Sequence, residues 1–269
     1  MALYIEWIGH SSFKITGSRK IYIDPWKVGR EMHDGDIILI SHPHHDHFSP
    51  HDIKKVAREP WNLFAPQDVV DELGSGTPLK ALETTSSCGI SIEALPSYTI
   101  DKLFHPRQKG WLGYKITIDG ITIYYGGDTD ALPEMHDFGP VDIALLPVGG
   151  RFTMDCREAA TAVEMLRPAT TIPYHWGDII GSRDDAERFA QACGSKTVIL
   201  NPGELVEITR DYLTRPDPAP SSLSQRYRLW KYRFRKNNDP LLKASIAGIQ
   251  TYAAEGAFCF MFDSPAKMI

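Results

Sequence analysis

The first 24 residues alternate between apolar and polar positions with a period of two. Leu3-Tyr-Ile-Glu-Trp-Ile8, Ser12-Phe-Lys-Ile15 and Lys20-Ile-Tyr-Ile23 read as three strands, and Gly9 and Gly17 sit where turns are needed. A short apolar run, Asp36-Ile-Ile-Leu-Ile-Ser41, predicts a strand buried on both faces. Ser49-Pro50-His-Asp52 then opens a helix, with proline at its first position and an acidic first turn, that runs to about Arg58. Short strands are predicted near Leu63 and at Leu79 to Leu82, with a helix at Gln67 to Leu73 between them. A second meander covers Ile90 to Leu95, Gly113 to Ile118 and Ile121 to Tyr125, the last pair joined by an Asp119-Gly120 hairpin turn. From Val141 the pattern changes to strand, helix, strand, helix, strand, with helices at Cys156 to Leu166 and Arg183 to Ala192. Two meanders, each followed by helical units, imply a mixed α/β protein with two sheets packed face to face.

The chain is long enough for one large domain with a real core. Its net charge of −5 argues against a general nucleic-acid-binding surface. The N-terminus shows no basic-then-apolar leader, and no apolar run is long enough to span a bilayer. The four cysteines are scattered without a C-x-x-C pair and read as reduced thiols, so the cytoplasm is the default location.

Candidate chemistry is concentrated at Ile40-Ser-His-Pro-His-His-Asp-His-Phe-Ser49, where His42, His44, His45, Asp46 and His47 fall within six positions after a predicted strand. As structural residues, each ring and the carboxylate would need its own buried partner. Neutral imidazoles and carboxylate together suit a borderline cation such as zinc. His42 and His44 can converge on one ion, and Asp46 and His47 can turn toward a second.

His42-x-His44-x-Asp46-His47 resembles the signature of the metallo-β-lactamase superfamily. Further segments match in order: Ile21-Tyr-Ile-Asp24-Pro-Trp26, Tyr124-Tyr-Gly-Gly-Asp128-Thr-Asp130, Ile143-Ala-Leu-Leu-Pro-Val-Gly-Gly150 and Ile172-Pro-Tyr-His175-Trp-Gly177. The resemblance covers about residues 1 to 208, in the branch of metal-dependent hydrolases that contains ascorbate-phosphate lactonase and a phospholipase D acting on N-acyl-ethanolamine phospholipids. It implies a four-layer αββα sandwich with its site at one edge. It also implies two divalent metal ions, zinc with manganese as the alternative. By resemblance His42, His44 and one further histidine hold the first ion, Asp46, His47 and His175 hold the second, and Asp128 bridges them. Asp46 and Asp128 are the implied catalytic carboxylates. Such a pair of ions, about 3.5–4 Å apart, shares a hydroxide that attacks a phosphodiester, lactone or other ester.

The chain departs from the family pattern at the third ligand of the first ion. Relatives place a histidine soon after a strand like Ser91 to Leu95, and here that stretch reads Pro96-Ser-Tyr-Thr99. His105 is the single histidine between the two metal motifs and is the candidate, with a surface-loop role as the alternative. Asp24 is expected to orient the histidine loop, or to be a plain strand-end turn residue. Asp130 can do the same or cap a helix. His10 is either a neighbour of the ligands or a loop residue. His45, His51, His33 and His136 are expected to lie off the site. Arg107, Lys109 and Arg151 are candidates for an anionic substrate group, and Trp26, Trp111 and Trp176 for pocket walls or for the core. Gly149-Gly150 permits a tight turn near the ions.

Two competing classes share the fold. One is a di-iron redox protein, whose members usually carry a glutamate at the position of His44 and a following flavin domain. The other is a non-enzymatic metal-binding scaffold, against which Asp128 and His175 count. The expected organisation is a hydrolase domain at 1–210 and an accessory extension at 211–269. Pro216 to Ser224 reads as a linker, and the extension carries nine Lys/Arg against five Asp/Glu, a charge of +4 that leaves −9 on the remainder. Leu223, Tyr227, Trp230 and Phe234 are spaced to share a helical face, although a strand also fits Trp230 to Arg235. The extension is expected to pack beside the active-site edge or against a second subunit of a homo-oligomer. The expected partner is a small ester or phosphate-ester substrate, not nucleic acid.

Overall fold

A computed structural model describes residues 2–213 together with 249–254 and 257–262. The chain divides into two compact units, Met1–Ala219 and Pro220–Ile269. In the first unit, β1 (Leu3–Gly9), β2 (Ser12–Thr16), β3 (Lys20–Ile23) and β4 (Ile37–Leu39) are followed by α1 (Pro50–Val56), β5 (Leu63–Ala65), α2 (Gln67–Leu73) and β6 (Thr77–Pro78). Then come β7 (Thr84–Ser87), β8 (Ile90–Pro96), β9 (Leu112–Ile118), β10 (Ile121–Tyr125), α3 (Met135–Phe138) and β11 (Ile143–Pro147). The unit closes with α4 (Cys156–Leu166), β12 (Thr170–Tyr174), α5 (Arg183–Ala192), β13 (Lys196–Thr197) and β14 (Leu205–Ile208).

One sheet has the order β14-β1-β2-β3-β4-β5-β6 and the other β13-β12-β11-β10-β9-β8-β7. In each, an antiparallel meander passes into parallel strands, at β3–β4 in the first sheet and β10–β11 in the second. The period-two pattern explains how they stack. Leu3, Ile5 and Trp7 of β1 point into one apolar core that also contains Ile92, Ile116, Ile123 and Leu145 of the other sheet. β4 is buried on both faces: Ile37 and Leu39 enter that shared core, while Ile38 joins Ile53, Val56 and Val69 in a second cluster beneath α1 and α2. The apolar faces of α4 (Ala159, Ala162, Val163, Leu166) and α5 (Ala186, Phe189) cover the opposite sheet. The result is the expected four-layer αββα sandwich. Each fully buried Leu, Ile or Phe contributes roughly 1.5–3 kcal/mol, so this double core is what holds the site-bearing edge rigid.

The expected strand at Leu79 to Leu82 is not formed. Strand pairing ends at Pro78, and Leu82 takes a left-handed conformation with φ 72°. Residues 79–83 are the crossing between the two sheets, where Leu79 is buried for packing and its amide donates to Ala65 O at 2.8 Å. The strand expected after Arg183 to Ala192 is present as β13. The four-residue helix α3 and the strands β7 and β14 were not apparent from periodicity, because they are short and carry too few alternations to register.

The second unit contains an antiparallel hairpin of β15 (Ile249–Ala254) and β16 (Ala257–Phe262), in register from Ile249–Phe262 to Ala254–Ala257. The linker at 216–224 and the helical or strand face of Leu223 to Arg235 lie outside the described residues.

Candidate metal centre

The histidine loop leaves the C-terminal end of β4 and enters α1. Ser49 caps that helix, accepting from Asp52 N at 3.2 Å, and Pro50 occupies its first turn. Before it, His44 O accepts from both His47 N (2.9 Å) and Phe48 N (2.8 Å), a tight turn that folds the ligand-type side chains toward one edge. Asp24, at the end of the neighbouring β3, anchors this loop from beneath. Its buried carboxylate accepts from Ser41 N (2.7 Å), Ser41 Oγ (2.5 Å), His47 Nδ1 (2.7 Å) and the Tyr125 hydroxyl (2.7 Å). The bond from His47 Nδ1 leaves Nε2 of that ring free to face the cluster.

Two groups of polar atoms converge at the edge of the sandwich. In the first, His42 Nε2 lies 3.0 Å from His44 Nδ1, and His44 Nδ1 lies 3.1 Å from His105 Nε2. His105 arrives from the loop between β8 and β9, is buried, and places Nε2 3.1 Å from Asp128 Oδ2. In the second, Asp128 Oδ1 lies 3.1 Å from His47 Nε2 and 3.3 Å from His175 Nε2. Asp46 Oδ2 is 3.8 Å from His175 Nε2 and 4.0 Å from His47 Nε2. Asp128, following Gly126-Gly127 at the end of β10, therefore touches both groups. Gly127 has φ 62°, and a Cβ there would meet Leu112 O and Ser97 Oγ at 2.8 Å, so the close crossing of loops behind Asp128 depends on glycine.

The donor set fits metal ions. Nitrogens bound about 2.0–2.1 Å from a tetrahedral zinc are separated by about 3.3–3.4 Å, close to the spacing of the three imidazoles. His175 Nε2 and Asp128 Oδ1 are buried and neither makes a hydrogen bond, although they are only 3.3 Å apart. Orphaned buried donors and acceptors that face one another across a shared space are what a bound cation would satisfy. The protonation states agree. Burial, reinforced by the charge on His47, pushes His42 well below its ordinary value, and burial with neighbouring His105 takes His44 down to about 4, so both rings are neutral at pH 7. Burial works against ionisation of Asp128, but the facing His175, His47 and His105 outweigh it and hold the carboxyl well below the usual range. Asp46 is lowered likewise, against burial, by His10 and His47. His47 is the exception: burial opposes its charge, yet the Asp128 and Asp24 carboxylates raise it well above its ordinary value. The pull that Asp128 exerts on a proton at Nε2 is a pull it would equally exert on a metal cation.

His10 resolves as part of the cluster. It is buried after the left-handed turn at Gly9-His10, its Nε2 is 3.0 Å from Asp46 Oδ2, and its ring packs 4.1 Å from that of His175. Beside Asp46 it is closer than His47, the histidine that the resemblance assigns there, and His10, Asp46 and His175 form a compact triad of their own. Ser11, whose Oγ is 3.0 Å from His47 Nε2, was not singled out from the sequence; a strand ending in Gly-His-Ser-Ser was the signal. His45, His51, His33 and His136 are all exposed. Trp111 packs against His42, His44 and His105 at 5.0, 4.8 and 5.7 Å between ring centroids. Trp26 lies 5.5 Å from His10, whereas Trp176 packs on Trp7 in the core at 4.8 Å. Arg107 pairs with Glu134 at 3.6 Å and stacks over Tyr98, Lys109 lies over Trp111, and Arg151 lies over Phe152. Asp130 caps no helix; it binds the 98–105 loop instead. Gly149 has a defined role: a Cβ there would stand 2.4 Å from His175 O, so only glycine lets His175 sit at φ 64° beneath it.

With this geometry in hand, the comparisons with known proteins are decisive. Residues 4–175 match the model of the beta-lactamase superfamily domain. The chain belongs to this superfamily. Among its relatives is a UPF0173 metal-dependent hydrolase of Thermococcus kodakarensis, 35% identical over 231 residues, covering 76% of this chain and 99% of the relative. A UPF0173 metal-dependent hydrolase of Pyrococcus abyssi is 34% identical over 226 residues with the same coverage. In solved structures, the metallo hydrolase Igni18 from Ignicoccus hospitalis superposes with a TM-score of 0.65 at 25% identity, covering 78% of this chain and 99% of Igni18. The metallo-β-lactamase fold and a metal-dependent hydrolase are thus established for this chain. Among the described residues, no helix is long and apolar enough to cross a membrane.

Proposed function

We propose that this superfamily hydrolase uses two divalent ions, zinc or manganese, to cleave a small ester: a phosphodiester, a lactone or a related acyl ester. The observation that carries the reading is Asp128, whose two oxygens face two different groups of histidines at about 3.1–3.3 Å. In this reading His42, His44 and His105 would hold the first ion and Asp46, His47 and His175 the second, with Asp128 available to both. Once bound, the ions supply water activated at neutral pH and polarise the ester oxygen. The chain's own residues do the rest. Asp24 keeps His47 in one tautomer by taking its Nδ1 proton in a hydrogen bond, and His10 steadies Asp46 through a 3.0 Å contact with Oδ2. Leu103 and Phe104 adjoin His105 and are exposed, 92% and 56%, beside the Phe104–Phe152 ring contact at 5.1 Å. They favour a substrate with an apolar portion, while Arg107 and Arg151 suit an anionic one.

The test is metal-depleted protein assayed against bis(p-nitrophenyl) phosphate, a series of γ- and δ-lactones, and aryl and alkyl esters, before and after addition of zinc or manganese. Turnover that appears on metal addition and saturates near two ions per chain supports the reading. Saturation at one ion, or full turnover without metal, refutes the two-ion centre.

A further inference from the structure

His105 reaches the metal centre on a segment with almost no regular structure. Between β8 and β9 the chain runs through residues 97–111 with a single short 3-10 turn at Arg107–Lys109. Apolar packing orders little of the part before His105: Tyr98 is buried in the shared core and Phe104 meets Phe152, but Ile100, Leu103 and Phe104 are all exposed. A connected series of polar contacts holds it instead. Asp130, 3% exposed, accepts from Ile100 N at 2.8 Å through Oδ2 and receives the Lys102 ammonium on Oδ1. The same ammonium donates to Glu158 Oε2 at 3.2 Å, and that oxygen also accepts from Asp155 N at 3.1 Å, closing the capping box of α4. Thr99 couples Lys102 to His105: Thr99 Oγ1 donates to Lys102 O at 2.9 Å, and Thr99 N donates to His105 O at 2.8 Å. Tyr98 O accepts from Asp130 N and Thr129 Oγ1 at 2.9 and 3.1 Å, which fastens the start of the loop to the segment that presents Asp128.

We infer that Lys102 is a positioning residue of the metal centre: by joining Asp130 to Glu158 it fixes the 98–105 loop so that His105 Nε2 meets His44 and Asp128. The inference rests on the proposed role of His105 as a metal contact. Lys102 touches no ion itself, since its ammonium has no lone pair to offer and is engaged by two carboxylates. Its contribution is to order a loop that the helix cap and the Asp128 segment together bracket. Without that contact the loop keeps its backbone bonds at Thr99 and Tyr98 but loses the charge that draws Asp130 and Glu158 together across it.

The experiment is a zinc titration of the metal-depleted full chain in competition with a chromophoric chelator, repeated with cobalt to follow the ligand-field absorption of each site. Lys102→Met is expected to weaken one of the two ions by about 10–100-fold and leave the other within about threefold. His105→Ala should weaken the same ion, and the double variant should be no weaker than His105→Ala alone, because both changes act on one coordinate. Lys102→Arg should restore most of the loss. Glu158→Gln, which removes one arm of the contact, should give a smaller loss at the same ion, and it decides the matter if Lys102→Met does not fold. Lys14→Met breaks a comparable contact to Asp34 (3.1 Å) elsewhere and should leave both ions unchanged. A folded Lys102→Met or Glu158→Gln that binds both ions like wild type, while His105→Ala weakens one, overturns the role of Lys102. Equal weakening of both ions by Lys102→Met and Lys14→Met overturns it too, as general destabilisation. If His105→Ala leaves both ions unchanged, it is the metal role of His105 that fails.

Discussion

Two loops supply the facing sides of the proposed metal centre, and they are built in opposite ways. The Ser41–Ser49 loop is short, bracketed by a buried strand and a capped helix, and its anchor Asp24 is fully buried and takes four hydrogen bonds. The 97–111 loop is longer, has an exposed apolar tip, and depends on a half-buried lysine for its order. The first is preorganised by the fold itself. The second is preorganised by a few charges acting between its buried ends, Tyr98 and Trp111.

The contrast can be broken first at Asp24. Asp24→Ala leaves Ser41, His47 and Tyr125 without a buried acceptor, which should cost about 3–5 kcal/mol of unfolding free energy. Chemical denaturation of the metal-depleted protein should show that loss, and metal titration should show both ions weakened. Loss of one ion only would mean the loop is held by something other than Asp24. A smaller effect on folding is expected on the other side: His105→Ala should weaken a single ion by at least the roughly 10–100-fold, about 1.4–2.7 kcal/mol, that losing a residue behind a ligand costs, with little change in the denaturation midpoint. His51→Ala, on the exposed start of α1, is the matching control and should change neither ion.

Gly149→Ala sharpens the comparison from beneath His175. The new methyl group collides with His175 O, so about 1–3 kcal/mol of stability should be lost, together with affinity at the ion facing Asp46 and Asp128 and not at the one facing His105. Equal loss at both would show that the two groups move as one body. The smallest effect lies away from both loops. Burial opposes ionisation of Asp34, but hydrogen bonds from Lys20, Tyr22 and Lys14 bring its carboxyl down to about 2. Its folded value lies below the unfolded value of about 3.9, so its stabilisation is present above pH 4 and fades as pH falls toward 2. Asp34→Asn should remove about 1–2 kcal/mol at pH 7 and flatten the decline between pH 4 and pH 2, while metal binding at pH 7 is unaffected. An unchanged acid decline would assign that slope to other carboxylates.

How much of this could be read in advance follows the same division. The Ser41–Ser49 loop was legible because five potential ligands in six positions have no inexpensive buried alternative, and because the flanking strand and helix carry strong local signals. The strands of both meanders and the helices at Gln67–Leu73, Cys156–Leu166 and Arg183–Ala192 were legible from periodicity. Leu79 to Leu82 misled because two buried-type residues in a crossover resemble a short strand when neighbouring sheets cannot be seen. His105 could be named only as the remaining histidine, since nothing local says how a loop folds back. Lys102 carried no signal at all: most lysines are solvated, and its significance arises from Asp130 and Glu158, 28 and 56 residues away. His10 stayed open for the same reason, its partner Asp46 being 36 residues distant.

Trp111 gives the site an optical property. Its indole is almost fully buried, is fixed by a 2.8 Å bond from Nε1 to Asp68, and leans on all three imidazoles of the first group. Indole emission responds to the charge and rigidity of rings in contact with it, so a change in what those imidazoles hold is written into the fluorescence of one residue among six tryptophans. Subtracting the spectrum of Trp111→Phe isolates that signal. The protein thereby carries its own gauge for one group of the proposed centre, while the other group is bordered by Trp26 and by Trp7, whose Nε1 donates to His10 O at 2.9 Å.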